Sequence, residues 1–345
     1  MAYMLSEIRE QPQWVAQAID SERSGVADLV AAMRKNDIRF IVIAARGTSD
    51  NAATYAKYLF EVVAGLPVAL AAPSVYTLYE SHLHLQNTLV MGISQSGQGT
   101  DVVQVLSAAQ SAGALTACIT NHASSPITAV SDYVLLSHAG EERSIAATKT
   151  YTTALAVVAL LVGTLAERKD LLEGLQNVSF NMQEALRIEE DVALAVERYR
   201  YIEECAVLAR GLNQATAQEV ALKMTETSYI VAKPYSGADF LHGPIAMIHP
   251  GFPCFLYAPD GRAYSFMVDL AHKIRECEGE IVAVARSREI MELARVSLRV
   301  PTEVHELLSP LVYVLPGQLF AYYLAVTRGV DPDHPRGLTK VTSTR

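Results

Sequence analysis

A two-part α/β fold, each part a mostly parallel sheet between helix layers, is what this 345-residue chain predicts. Two observations carry that expectation. Short segments that are apolar throughout alternate with longer helical patterns, and the strand-like segments recur further along the chain at one constant offset.

The first set of elements runs in order. "IRFIVIAA" is followed by the helical stretch "NAATYAKYLFEVVA", then "PVALAA", "NTLVMGI", the helical "TDVVQVLSAAQSA", "ALTACIT" and "DYVLL". Runs that are apolar on both faces, rather than alternating, are what strands covered by helices on either side look like. The second set repeats the first. "AARG" ends at Gly47 and "LARG" at Gly211; "NTLVMGIS" ends at Ser94 and "GFPCFLYA" at Ala258; "TACIT" begins at Thr116 and "EIVAV" at Glu280. Each pair is 164 residues apart. The halves are placed at 30–175 and 195–330, after an N-terminal segment 1–29 and before a C-terminal tail 331–345. Between them, "RKDLLEGLQNVSFNMQEALRIEEDVALAVERYR" is charged and helical with no Pro/Gly/Ser-rich linker, which predicts halves packed together rather than tethered.

Composition narrows the partners. The net charge is −9, with no run of lysines or arginines, so nucleic acid and anionic lipid find no electrostatic footprint. The N-terminus carries Glu7, Arg9 and Glu10 where a signal peptide needs apolar residues. The longest apolar run, Ala154 to Ala166, is shorter than the roughly 20 residues of a membrane span and reads as a buried helix. The cysteines Cys118, Cys205, Cys254 and Cys277 are widely spaced and mostly in apolar runs, as expected of reduced, buried thiols. The chain therefore reads as cytoplasmic.

Two turns follow strands of the first half, "RGTSDN" with Ser49 and "SQSGQGT" with Ser94, Gln95, Ser96 and Thr100. In a parallel sheet such loops gather at the carboxyl edge, where ligands bind. Backbone N–H groups, the positive ends of helix dipoles and several hydroxyls together suit a phosphate. The plainer use of these serines is helix capping, but three donors in four residues exceed what a cap needs. A P-loop lysine, a third dinucleotide-binding glycine and the last glycine of a nucleophile elbow are all missing. His82 and His84 of "SHLHL" read more simply as surface residues than as metal ligands.

The second half carries a different signal. In "QEVALKMTETSYI", Glu219, Lys223 and Glu226 fall at i, i+4 and i+7 on one helix face. The plainer reading is a solvated, salt-bridged stripe. Against it, the helix leads into "YSGADFLHGPIAM", which sets His242 in a Gly/Pro turn; carboxylate, lysine and histidine make an acid/base set.

At these residues the chain resembles the sugar isomerase (SIS) family, in the two-domain form found in the isomerase half of glucosamine-6-phosphate synthase and in stand-alone aminosugar-phosphate deaminases. The resemblance rests on "EIREQP", "RGTS", "SQSG", "AATKTYTTAL", "ALKMTETSYI", "FLHGP" and the tail "RGVDPDHPRGLTKVT", spread over nearly the whole chain. It implies two tandem SIS domains and a phosphate pocket at Ser49, Ser94, Gln95 and Ser96. The family's final threonine falls on Gly99, leaving Thr100 one position later as the replacement. It further implies Glu226 as the proton-transfer base, His242 as the ring-opening histidine, and Lys340 in the closing tail as the amine that forms an imine with the ketose. Glu219 and Lys223 match helix positions lining the cavity, and Glu142 and Ala147 lie in a loop facing the sugar. The family's glutaminase domain has no counterpart in the stretch given, so glutamine hydrolysis is not expected of it. What is implied is an aldose–ketose isomerase and deaminase of phosphorylated aminosugars, without metal or redox cofactor. It would be a homodimer in which each histidine enters the partner's site.

Overall fold

The computed structural model describes residues 2–340, so residues 341–345 of the tail lie outside the described residues. The described chain divides into two compact units, each drawing on separate stretches of sequence. One consists of Gln13–Glu142, Lys149–Gln176 and the described residues from Leu338 on. The other consists of Asn177–Gly337, Arg143–Thr148 and the described residues up to Pro12.

The first unit is built on five strands: β1 (Phe40–Ala44), β2 (Val68–Leu70), β3 (Thr88–Ile93), β4 (Leu115–Thr120) and β5 (Tyr133–Leu136). They lie in the order β2-β1-β3-β4-β5, and every pairing is parallel. All six residues of β3 are buried, which is why its sequence is apolar without alternation. Val42, Ala44, Val90, Val105, Leu106 and Cys118 join in one core on the face that the helix Thr100–Ser111 covers.

The second unit repeats the plan with β6 (Glu204–Ala209), β7 (Val231–Ser236), β8 (Pro253–Ala258), β9 (Glu280–Ala285) and β10 (Val296–Arg299). Their order, β7-β6-β8-β9-β10, matches the first sheet strand for strand, again wholly parallel. Each strand begins 163 to 165 residues after its counterpart. The constant offset read from the sequence is thus a repeated topology. Gly47 and Gly211, equivalent under that offset, both turn with positive φ, 55° and 64°, a conformation that favours glycine.

The helix Ser309–Thr327 was not singled out by its apolar character, because Pro310, Pro316, Gly317 and Gln318 interrupt the run. With the short turn before it, Glu306–Thr327 is the one described helix long and apolar enough to cross a membrane, yet 94% of its apolar window is buried inside the protein. It is a core helix. It packs on the helix Gln214–Ser228 so closely that a Cβ on Gly317 would overlap Val220 and the Tyr257 hydroxyl. Thr227 Oγ1 also donates to Ala321 O at 3.2 Å.

Cys118, Cys205 and Cys254 are buried and Cys277 is exposed; all four are free thiols. Burial pushes the Cys118 thiol up to about 11 and the Cys254 thiol up to about 12. Both are therefore inert at neutral pH.

Candidate active site

In the order β2-β1-β3-β4-β5, the chain direction of sheet building reverses between β1 and β3, which makes the crevice at their carboxyl ends the place where such sheets bind ligands. The "RGTS" loop leaves β1 and the "SQSG" turn leaves β3. The two loops are tied together by Arg46 and Asp101, whose Nε and Oδ2 are 2.7 Å apart, with the Asp101 side chain almost fully buried. Asp50, in the first turn of the helix Thr48–Leu59, is raised above the ordinary carboxylate value by burial, with the Arg46 charge opposing.

The serines in these loops are not helix caps. Gly47 is the N-cap of Thr48–Leu59 and Gly99 that of Thr100–Ser111, and neither helix has a side-chain cap. Instead the hydroxyls shape the turn: Ser94 Oγ accepts from Gly97 N–H at 3.1 Å and Ser96 Oγ from Gln98 N–H at 3.2 Å. An oxygen that accepts in this way keeps its own O–H to donate. The Ser94 and Gln95 carbonyls are spent on Gly97 N–H and Asn121 N–H, whereas no protein acceptor among the described residues takes the N–H of Gln95 or Ser96. Gly97 has φ 64°, and a Cβ there would overlap Ser125. The turn therefore closes tightly with two N–H groups and two hydroxyls left to offer an anion.

A cavity of about 600 Å³ opens beside this turn. Gln95, Ser96, Glu142 and Lys340 line it; Ser49, Ser94 and Thr100 are not among its lining residues. Thr100 is exposed at the first position of its helix, and Ser49 is half-buried. Glu142 is buried and held from three sides: Thr150 N–H donates at 3.2 Å, Thr150 Oγ1 at 2.7 Å, and Lys340 Nζ at 3.0 Å. Lys340 thus has a defined partner in the tail. Trp14, Asn121 and His138 also line the cavity and were not anticipated. Asn121 follows β4 directly, at the same carboxyl edge. It clamps the 137–140 loop, donating to Gly140 O at 2.7 Å and accepting from Ala139 N–H at 2.9 Å. Its position after a strand was the available signal. His138, which approaches Glu22 to 2.6 Å, had none.

In the other unit, the helix Gln214–Ser228 carries Glu219, Lys223 and Glu226. The side chains of Glu219 and Lys223 are essentially inaccessible, and that of Glu226 is 22% exposed. Lys223 Nζ lies 2.6 Å from Glu226 Oε2, in ion-pair contact without hydrogen-bond alignment, and 3.5 Å from Glu219 Oε1. A solvated stripe would not be buried in this way, so the plainer reading of the spacing does not hold. Two carboxylates and one ammonium removed from water are costly to fold and leave one acid group at the solvent edge. His242 closes the short helix Gly237–Leu241 and is exposed, next to Gly243 at φ 133°. Ala147 is half-buried in the Arg143–Thr148 segment, whose first N–H, that of Arg143, donates to Glu7 Oε1 at 2.5 Å. Among the described residues there is no group of three or more His, Cys, Asp or Glu placed to hold a metal ion.

Comparison with known proteins follows the same outline. The SIS domain model matches residues 36–163 and 203–328. The glutamine–fructose-6-phosphate aminotransferase (isomerizing) of Thermococcus kodakarensis is 35% identical over 98% of this chain, which spans 57% of that protein's length. A candidate phosphosugar isomerase from Silicibacter pomeroyi DSS-3 superimposes with a TM-score of 0.85 at 32% identity, covering 96% of this chain and 100% of its own. The C-terminal domain of glucosamine-fructose-6-phosphate aminotransferase from Francisella tularensis does so with a TM-score of 0.87 at 26% identity, covering 97% and 98%. With two matched regions, two sheets of one topology and relatives of this identity, the chain belongs to the SIS domain family.

Proposed function

We propose that the chain is an aldose–ketose isomerase and deaminase of phosphorylated aminosugars, converting glucosamine 6-phosphate and water to fructose 6-phosphate and ammonia. The observation that carries this reading is the buried Glu219–Lys223–Glu226 set. The first repeat has Tyr55, Leu59 and Val62 at the corresponding positions, so the fold itself does not call for these charges.

In this reading the Ser94–Ser96 turn, with Ser49 and Thr100, holds the phosphate, and Glu142 and Ala147 face the sugar. His242 assists ring opening. Glu226 takes the proton from C2 of the open aldose and returns it to C1, which turns the aldehyde into a C1 hydroxyl and the C2 amine into an imine. Water adds to that imine and ammonia leaves, giving the ketose. Electrons balance within the substrate, so no redox partner enters. Lys340 engages the C2 carbonyl of the ketose as an imine, and Glu219 and Lys223 position Glu226. General acid–base catalysis of this kind contributes ~10²–10⁴-fold.

The test is ammonia release by the purified protein from a panel of glucosamine, galactosamine and fructosamine phosphates. Release from glucosamine 6-phosphate without glutamine supports the proposal, and ammonia seen only when glutamine is supplied overturns it. The aminotransferase relatives favour a second reading, in which the same residues run the amination of fructose 6-phosphate with free or delivered ammonia. Net formation of glucosamine 6-phosphate from fructose 6-phosphate and ammonium, faster than the reverse, selects it. The exposure of His242 supports a homodimer whose histidine serves the partner's site. Mixing Glu226→Gln and His242→Ala proteins after verified subunit exchange restores activity if sites are shared, and leaves it absent if they are not.

A further inference from the structure

One step of the proposed reaction has no residue assigned to it, the addition of water to the C2 imine and the departure of ammonia. That step needs a base beside C2. Lys340, which engages C2 in the proposed reaction, lines the cavity beside the Ser94–Ser96 turn, and His138 lines the same cavity.

His138 follows β5 at the carboxyl edge of the first sheet, and its Nε2 lies 2.6 Å from Glu22 Oε1. Glu22 is buried just before the helix Arg23–Lys35, and a Cβ on Gly25 would come within 2.9 Å of its Oε2, so the glycine gives the carboxylate its room. A carboxylate accepts. Nε2 therefore carries the hydrogen of this bond and, in the neutral ring, Nδ1 keeps its lone pair. Nδ1 has no hydrogen-bond partner among the described residues and is not an enclosed atom, so it is open on a residue that lines the cavity. The backbone fixes the ring as well. His138 sits at φ 47°, which a non-glycine residue rarely adopts, and both its neighbours are tied to one oxygen: Ser137 Oγ donates to Asn121 Oδ1 at 3.1 Å and Ala139 N–H at 2.9 Å. An open nitrogen on a ring oriented by a carboxylate is the arrangement a general base needs. Two other titratable groups of the cavity lack a part of it: Glu142 spends its oxygens on Thr150 and Lys340, and His122 is exposed with its ring held by no described residue.

We propose that His138 is the catalytic base of the hydrolytic half of the reaction and that Glu22 is its positioning residue. The proposal rests on the deaminase reading above. Protonation of C1 leaves the imine protonated. His138 Nδ1 takes a proton from water as the water oxygen bonds to C2, and the C=N electron pair moves to nitrogen. The amine nitrogen then takes that proton from His138, and the C2–N bond breaks with its electron pair going to the ammonia. The hydroxyl oxygen closes the C2=O bond, and its proton leaves with the ammonia as ammonium. His138 ends as it began, and no oxidant or reductant enters.

The test separates proton transfer at C2 from release of ammonia, using the full chain and glucosamine 6-phosphate in deuterated water. His138→Asn removes the base but keeps a side chain that tolerates left-handed backbone, and Glu22→Gln keeps a hydrogen-bonding partner but not the carboxylate. Both should lower ammonia release, His138→Asn by ~10²-fold or more, while still exchanging the C2 hydrogen with solvent deuterium. Glu226→Gln should lose exchange and release together. Retained exchange also shows that the two variants are folded. Ammonia release at the wild-type rate in His138→Asn overturns the assignment and leaves the proposed function standing. An equal fall of exchange and release in His138→Asn makes the ring a support of the cavity wall, and overturns it too. If the wild-type chain releases no ammonia from glucosamine 6-phosphate, the assignment falls with the proposed function.

Discussion

The two repeats carry the same sheet, yet each has kept a different half of the chemistry. At the end of β3 the first repeat has Ser94, Gln95 and Ser96, where the N–H groups of Gln95 and Ser96 meet no protein acceptor among the described residues and the Ser94 and Ser96 hydroxyl oxygens accept within the turn. At the end of β8 the second has Ala258, Pro259 and Asp260, and Asp260 is consumed in an ion pair with Arg286 at 2.5 Å. On the helix that follows the first strand the relation is reversed. Tyr55 and Leu59 are wholly buried apolar residues in the first repeat, where the second buries Glu219 and Lys223. A duplicated scaffold needs its strands and its core in both copies, but a ligand needs each functional group only once. The comparison separates what folding demands from what binding demands.

Glu226→Gln should break the comparison most deeply. It keeps shape, removes the base, and is expected to lower kcat ~10²–10⁴-fold with little change in affinity for a substrate analogue. It should also stop exchange of the C1 or C2 hydrogen with solvent deuterium. Exchange at the wild-type rate would move the base to Glu219 and leave Glu226 a purely structural partner of Lys223.

Next in size is Lys223→Met, which removes the ammonium that stands beside both carboxylates of that helix. A buried pair broken on one side loses about 3–5 kcal/mol of stability, read as a fall in the urea midpoint. Adding Glu219→Gln should recover part of it. The matching change in the first repeat, Leu59→Met, swaps one apolar side chain for another and should cost less than about 1.5 kcal/mol.

Ser96→Ala is expected to raise KM by roughly 10- to 150-fold, the loss of one hydrogen bond to a charged ligand. Asp260→Ala, its counterpart in the second repeat, should leave KM unchanged. Because Ser96 lines the cavity and Ser94 does not, Ser94→Ala should have the smaller effect.

The smallest effect concerns acid. β9 of the second repeat starts at Glu280, held below its ordinary value of 4.5 chiefly by the hydrogen bond from Arg198; the corresponding Thr116 of β4 makes a neutral hydroxyl contact to Asp132. A carboxylate whose folded pKa is depressed adds stability above its unfolded pKa and loses it as pH falls through the folded one. The Arg198–Glu280 pair should therefore weaken below about pH 4.5, by about 0.2–1 kcal/mol for so exposed an arginine. Hydrogen exchange at β9 amides should accelerate there relative to β4, and Arg198→Gln should remove the difference.

Much of this was legible beforehand because strand burial on both faces writes itself as an unbroken apolar run, and duplication writes itself as a fixed offset. "NTLVMGI" and "GFPCFLYA" became β3 and β8 for that reason. Helix Ser309–Thr327 was harder, since two prolines and a glutamine disguise a helix that is buried all round. The candidate site was legible in part. Ser96, Gln95, Glu142 and Lys340 line one cavity, but nothing in the spacing of Trp14 or His138 linked them to it.

Local pattern determined the strands, the repeat, the serine-rich turn and the i, i+4, i+7 spacing of Glu219, Lys223 and Glu226, because those depend on near neighbours in the chain. Burial does not. Only the tertiary structure decided that the charged stripe is enclosed rather than solvated, that Gly47 and Gly99 rather than the serines occupy the cap positions, and that Trp14 stands against Gly140, 126 residues away in the sequence. A side chain's chemistry depends on what displaces water from it, and those groups arrive from distant parts of the chain.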